Sequence, residues 1–474
     1  MEMKTISYRT EQDSIGEMKV PKDAYYGVQT LRAWQNFQMT GNRMHPAFIR
    51  NLAMIKKAAA ITNHGSGRLS SERMLAIVRA CDEVMAGAFA DAFIVDPIQG
   101  GAGTSMNMNL NEVIANRAGE ILGDARGSYQ KVHPNDHVNM SQSTNDVIPT
   151  AGKLTALDLL AKLNQSLASL ANALQKKSLE FDDVLKMGRT QLEDAVPMRL
   201  GQEFHSYATM ILRVQKRLKT AAEEMHVVNL GGTAIGTAIN VDPYYFMHIV
   251  PELQELSGYP LKQAEDLFDG TEHLDSFSAV SGALKAGAMS ISKMCNDLRL
   301  LSSGPRTGFG EITLPAKQNG SSIMPGKVNP VIPEVVNQTA FQIAGLDVTI
   351  SMAVEAGQME LNAFEPVIFY DLFQELDMLK NAVDTLTVNC IEGITANRER
   401  CEQLMDSSVG IATALCPYLG YQQSAEIAKT ALKTGKTVRS LVLSRHLMND
   451  HELREVLNPD RMTLPPETRA RVRA

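Results

Sequence analysis

Aromatic residues are scarce in this chain: they make up 5% of its 474 residues, with a single tryptophan. A core of sheets rich in aromatic and β-branched side chains fits that balance poorly. There is no basic excess either. Lysine and arginine number 46 against 53 acidic residues, a net charge of −7, which leaves no electrostatic footprint for nucleic acid. No stretch approaches the ~20 consecutive apolar residues of a membrane-spanning helix. The first ten residues, Met1 to Thr10, lack the apolar centre of a secretory signal. Cysteine is few and odd in number. Cys81, Cys295, Cys390, Cys401 and Cys416 follow no metal-ligand spacing and read as reduced thiols of a cytoplasmic protein. No low-complexity linker divides the chain.

What is present is aliphatic. Apolar residues reach 44%, including 25 methionines, which favours helix packing. Leu160, Leu163, Leu167, Leu170 and Leu174 alternate spacings of three and four. The same rhythm runs from Phe204 through Ile211 and Leu218 to Val228, from Phe277 through Leu284 and Leu298 to Leu301, and from Phe369 through Leu376 to Leu386. This is the seam of long helices packed side by side. Val331–Leu346 reads as a further helix, with Pro333 and Glu334 suited to its first turn. Helices of about 25–35 residues would run roughly 40–50 Å. Apolar residues beside the seam, such as Leu212 and Leu300, predict burial on more than one side and hence association through the bundle. The predicted fold class is all-α with three domains: 1–142 of short helices and loops, including Ser71–Phe89; 143–397 as a central long-helix bundle; and 398–474 as a small helical domain, with helices at Ser424–Leu432 and Thr437–Arg445.

Four polar segments carry the chemistry. Gly320-Ser-Ser-Ile-Met-Pro-Gly-Lys-Val-Asn-Pro330 joins hydroxyls, glycines, a lysine and an asparagine. It is too polar for a core, and a connector does not need that mixture. Glycine lets backbone N–H groups approach a ligand. A serine can be activated as nucleophile or base, and lysine supplies a cation for a carboxylate. The run suggests a loop that closes on a small anionic substrate. Gln99-Gly-Gly-Ala-Gly-Thr-Ser105 leads toward a helical stretch from Asn111, a good anion seat; alternatively Thr104 and Ser105 are helix caps. His137-Val-Asn-Met-Ser-Gln-Ser-Thr-Asn-Asp146 holds more hydroxyls and amides than one cap requires, although His137 itself reads as structural. Gly188-Arg-Thr-Gln-Leu-Glu-Asp-Ala-Val-Pro197 is either a further site segment or a charged interhelical loop.

Taken in order, the runs at 99–117, 137–150 and 320–330 resemble the three shared regions of the aspartase/fumarase superfamily, and the resemblance covers nearly the whole chain. Within it, Asp23-Ala-Tyr-Tyr-Gly-Val-Gln-Thr-Leu-Arg32, Met187–Pro197 and Pro325–Gln338 look most like the aspartase branch. Fumarases usually place tryptophan near Tyr26, histidine at Gln191 and a different run after Pro330; some aspartases also carry histidine at Gln191. The resemblance implies a homotetramer with a central helical bundle, each active site shared by three subunits. It implies a carbon–nitrogen lyase converting L-aspartate to fumarate and ammonia through an aci-carboxylate. Ser321 would be the base. Thr104, Ser143, Thr144 and Ser322 would hold the carboxylate that gains charge, and Lys327 and Asn329 the other. Asn145, Thr190 and Gln191 would contact the amino group, and Glu334 would orient its neighbours. No metal or cofactor is required. Some similar aspartases respond to Mg²⁺, and the sequence assigns no site for it. The competing readings are a fumarate hydratase, a lyase for a substituted aspartate, and a non-catalytic protein that kept the fold.

Overall fold

The computed structural model describes residues 7–464, most of them helical. The hairpin β1 (Tyr8–Gln12) and β2 (Glu17–Pro21) is followed by α1 (Val28–Asn36), α2 (Pro46–Gly65), α3 (Ser71–Met85), α4 (Thr104–Ile121) and α5 (Thr144–Glu180). A second hairpin, β3 (Leu185–Thr190) and β4 (Glu193–Arg199), precedes α6 (Leu200–Ala221). Then come β5 (Val227–Val228), α7 (Pro243–Ser257), β6 (Lys262–Gln263), α8 (Asp269–Glu272) and α9 (Asp275–Leu301). After β7 (Ile312–Thr313) run α10 (Val331–Glu355), α11 (Glu365–Asn389), β8 (Thr395–Ala396) and α12 (Arg398–Ser407). Short helices α13 (Cys416–Leu419), α14 (Tyr421–Thr434), α15 (Val438–Ser444), α16 (Asp450–Val456) and α17 (Pro459–Thr463) follow. The strands form only two-stranded sheets: β5–β6 is parallel, and β1–β2, β3–β4 and β7–β8 are antiparallel.

The long-helix series fall where the spacing places them, with adjustments at the ends. The series that starts at Phe204 leaves the helix after Ala221, and Val228 lies in a short strand. The helix predicted to Leu346 continues to Glu355. The one predicted to Phe89 stops at Met85, and Phe89 takes a left-handed φ of 62°. Residues 188–197 are a β-hairpin rather than an interhelical loop. α4 begins at Thr104, well before Asn111, and its N-cap is Gly103 rather than a hydroxyl residue.

The described residues divide into two compact units, and the division falls inside each of α5, α6, α9, α10 and α11. The first unit takes residues up to 164, 216–288 and 341–380. Its core includes an aromatic group of Phe48, Phe277, Phe369 and Phe373, with ring centroids 5.1–6.0 Å apart. Gly152 of α5 permits this packing, because a Cβ there would stand 2.6 Å from the Phe369 ring. The start of α1 is held by the buried Glu112 carboxylate, which accepts N–H bonds from Gly27, Gln29 and Thr30 at 2.8–3.1 Å. The second unit takes 165–215, 289–340 and the chain from 381. There β3 and α12 pack together, while α17 lies on β4. Arg199 donates to Thr463 Oγ1 at 2.9 Å and bonds Asp460, which fixes α17 to the hairpin base.

A buried polar chain crosses α9, α10 and α11 in the first unit. Ser281 Oγ lies 3.0 Å from Asp347 Oδ1 and 3.1 Å from Glu375 Oε1. One hydroxyl has one proton, so both contacts are satisfied when a protonated Glu375 donates to Ser281 and Ser281 donates to Asp347. Lys285 pairs with Asp347. Burial, with the Asp347 and Asp371 charges adding to it against the Ser281 hydrogen bond and Lys285, pushes the Glu375 carboxyl up to about 9. The fold therefore keeps a proton that the unfolded chain loses near the usual glutamate value of about 4.3. That contribution to stability is complete below the unfolded value and disappears as pH rises through about 9. Glu375→Gln is expected to flatten the decline of Tm over this window in thermal unfolding at stepped pH. An unchanged slope would remove Glu375 as its source.

Candidate active site

In the first unit the two polar loops of the N-terminal half meet. Gly101, Ala102 and Gly103 all have positive φ, at 93°, 54° and 83°. This left-handed turn delivers the chain into α4, and only glycine adopts such angles freely. A Cβ on Gly103 would stand 2.9 Å from Ile148 of α5, so the starts of α4 and α5 approach closely. Thr104 is exposed, and its hydroxyl donates to Gly101 O at 2.7 Å. Asn107 Nδ2, one turn along, reaches Thr144 Oγ1 at 3.4 Å and Asn139 Oδ1 at 3.1 Å.

Ser143, Thr144 and Asn145 open α5. Ser143 Oγ accepts from Asn145 N at 3.2 Å, while Ser143 N donates to Asp146 Oδ1 at 2.9 Å. This reciprocal arrangement fixes the helix start. The other Asp146 oxygen accepts from Gly231 N and Thr233 N at 3.0 and 3.1 Å. Burial raises the Asp146 carboxyl to about 6 against these bonds. Asn145 Nδ2 donates to Ala234 O at 2.7 Å. Behind the loop lies Lys56, fully buried, whose Nζ donates to Asn139 Oδ1 and Gln142 Oε1 at 2.9 and 2.8 Å. Burial lowers this lysine to about 7, with Asp146 opposing. Sequence reasoning missed Lys56. Its signal was the lysine pair Lys56 and Lys57 inside the otherwise apolar run Leu52–Ala60 of α2. A cleft of about 430 Å³ opens beside Thr104 and Ser105, and Arg32, held by Asp13 at 3.0 Å, also lines it.

In the second unit Thr190 ends β3, and Gln191 and Leu192 make the turn to Glu193. Both turn residues have positive φ, 58° and 67°, the geometry of a two-residue hairpin that usually takes Asn-Gly. Side chains in that region cost roughly 1–2 kcal/mol per residue, so the surrounding structure must hold the turn. Thr190 and Gln191 are exposed at its tip.

The 320–330 loop is closed at its base. Asn329 Nδ2 donates to Gly320 O at 2.5 Å, and a Cβ on Gly320 would stand 2.2 Å from Lys327 O. Glycine is therefore required where the two arms cross. Ser321 Oγ accepts two backbone N–H bonds, from Ile323 at 3.2 Å and Met324 at 2.9 Å. Donors aimed at a hydroxyl oxygen favour its anion. Ser322 and Lys327 are exposed, and among the described residues the Lys327 ammonium has no hydrogen-bond or ion-pair partner. Glu334 lies in the first turn of α10, its N–H bonded to Pro330 O at 3.2 Å.

The structure thus brings the start of α4, which carries Thr104, close to the start of α5, which carries Ser143, Thr144 and Asn145, and it gathers Ser321, Ser322, Lys327 and Asn329 in one loop. No hydrogen bond or ion pair among the described residues ties that loop to Thr190 or Gln191. Among the described residues no group of three or more His, Cys, Asp or Glu is placed to hold a metal ion, and no helix is long and apolar enough to cross a membrane.

Comparison with known proteins gives a consistent answer. A family model described as "Lyase" matches residues 16–345, and one described as "Fumarase C C-terminus" matches 411–464. An aspartate ammonia-lyase from Bacillus sp. is 50% identical, covering 96% of this chain and 98% of the relative. A Brucella melitensis fumarate lyase:delta crystallin solved with cobalt superposes with a TM-score of 0.95 at 50% identity, over 97% of this chain and 100% of that one. A class II fumarase from Schistosoma mansoni superposes with a TM-score of 0.93 at 36% identity, again over 97% and 100%.

Proposed function

This chain belongs to the aspartase/fumarase family of lyases, and we propose that it converts L-aspartate reversibly into fumarate and ammonia as a carbon–nitrogen lyase. The observation that carries the catalytic reading is the pair of N–H groups on Ser321 Oγ. The hard step removes a proton from Cβ, next to the side-chain carboxylate. Ser321 takes that proton, and the C–H electron pair moves into the carboxylate, which becomes a dianion. Charge developing there needs donors already in place. Thr104, Ser143, Thr144 and Ser322 supply them. Lys327 and Asn329 hold the other carboxylate. The electrons then return to form the double bond, the Cα–N bond breaks, and nitrogen leaves with its bonding pair as ammonia. Asn145, Thr190 and Gln191 contact that nitrogen. A neutral amide suits it, because an ammonium leaving as ammonia needs no added proton. No cofactor enters these steps.

The site is completed in a homotetramer, with residues from three subunits at each centre. Support comes from α10, whose Phe341, Val348 and Met352 share one face and are 63%, 57% and 67% exposed in the single chain. Leu212 of α6 is likewise exposed. Such apolar area on long helices is suited to burial against other copies. Five unbridged cysteines fit a cytoplasmic setting.

A paired assay tests the reading. With purified protein, ultraviolet absorbance should report fumarate from L-aspartate but not from malate, with ammonia released in equal amount. Fumarate from malate alone would make the protein a hydratase. Turnover confined to N-substituted aspartates would move it to another lyase, and none at all would favour a retained, inactive fold.

A further inference from the structure

The hairpin tip that presents Thr190 and Gln191 is strained, yet two residues of the strand leading to it, Lys186 and Arg189, are charged and directed inward. Arg189 Nη1 meets Glu311 Oε1 at 2.9 Å, and Lys186 Nζ meets Glu311 Oε2 at 3.2 Å. Glu311 is fully buried, and Lys186 is nearly so and also pairs with Glu203 at 2.7 Å. The Arg189 guanidinium lies over the Phe309 ring, 4.2 Å from its centroid. Lys186 and Arg189 stand three apart, a spacing that points to opposite faces of a regular strand. The register shifts between Met187 and Arg189, where Ala195 and Val196 together face Gly188. Such a bulge sharpens local twist, and both cations reach one carboxylate. Gly188 is needed there, since a Cβ would stand 2.8 Å from Val196 O.

Glu311 is fixed from behind. Its N–H donates to Leu301 O at 2.9 Å, and its carbonyl accepts from Asn397 N at 2.9 Å. It also sits at the head of the segment that runs through β7 into the 320–330 loop. Burying charge for stability alone gains little over an apolar filling of the same volume. Oriented charge does fix geometry, and here it fixes the residue immediately before Thr190.

We propose that Glu311 is a positioning residue that anchors the Thr190–Gln191 tip through Arg189. This rests on the reading that Thr190 and Gln191 contact the substrate nitrogen. Glu311 touches no reacting atom. Its loss should loosen the tip and leave both carboxylate-binding sets in place.

The test uses the full-length protein and runs the reaction in both directions, with Glu311→Gln and Arg189→Met. In the deamination direction kcat/KM should fall roughly 10- to 100-fold, the scale of a misplaced contact group. In the amination direction KM for ammonia should rise about tenfold or more while KM for fumarate stays within about twofold. Glu311→Asp should recover part of the loss. Equal rises in both KM values, or none, would overturn the assignment. So would a normal ammonia KM in Arg189→Met, which decides the matter if Glu311→Gln does not fold. Should the unsubstituted protein fail to deaminate L-aspartate, the proposed function falls first, whatever these variants do.

Discussion

Ser321→Ala should lose on the order of 10³-fold in kcat, the scale of a general base removed from the transition state. Substrate KM should move little, because neighbouring residues hold the carboxylates. A free serine hydroxyl is almost wholly protonated at neutral pH, so the base function needs help, and the loop supplies some. The Ile323 and Met324 N–H groups aim at the oxygen. Alanine takes away the oxygen and leaves those N–H groups in a loop that is largely exposed, where water replaces their partner. The fold should therefore survive, and circular dichroism and sedimentation should match the unsubstituted protein. Turnover within about tenfold of normal would reject Ser321 as the base, since that is below the range of a lost acid–base group.

How much of this was legible beforehand depended on the type of interaction. The long helices were readable because one periodicity, carried by Leu163, Leu167, Leu170 and Leu174, extends over many turns, and all four are fully buried. Positions 188–197 were not, because charged residues flank a turn of Gln191 and Leu192 that lacks the usual glycine signal. The start of α4 lies earlier than Asn111 for a similar reason: it is marked by a run of left-handed residues, not by a capping hydroxyl. The polar site segments stood out because no core accounts for their composition. Their supports did not. Lys56 bonds residues far along the chain, and Glu311 unites two positions more than 120 residues upstream. Lys56 shows locally only as one of two lysines in an apolar run, with nothing nearby to name its partners, and Glu311 leaves no local pattern. Gly188 and Gly320 are similar, since their need for a missing Cβ appears only once the opposing backbone is in place.

The second large effect is expected from Lys327→Ala. Lys327 is the cation of the serine loop, exposed and without an ion-pair partner among the described residues. An ammonium already paired within the protein would have to break that pair to take a substrate carboxylate; this one does not. Removing it costs a charge-assisted hydrogen bond, about 2–3 kcal/mol. At tenfold per 1.4 kcal/mol, KM for L-aspartate should rise about 30- to 150-fold. The fall in kcat should be smaller, because the lysine binds the carboxylate that does not gain charge and so contributes similarly to ground and transition states. Lys327→Arg should restore only part of the affinity. A guanidinium keeps the charge but is broader and planar, and Asn329, crossed over Gly320 at the base of the loop, leaves the chain little freedom to shift. Initial rates of fumarate formation over a range of L-aspartate concentrations would measure both constants. A KM within twofold of normal in the alanine variant would remove Lys327 from the carboxylate site, and a fall in kcat with KM unchanged would give it the role of stabilising the dianion instead.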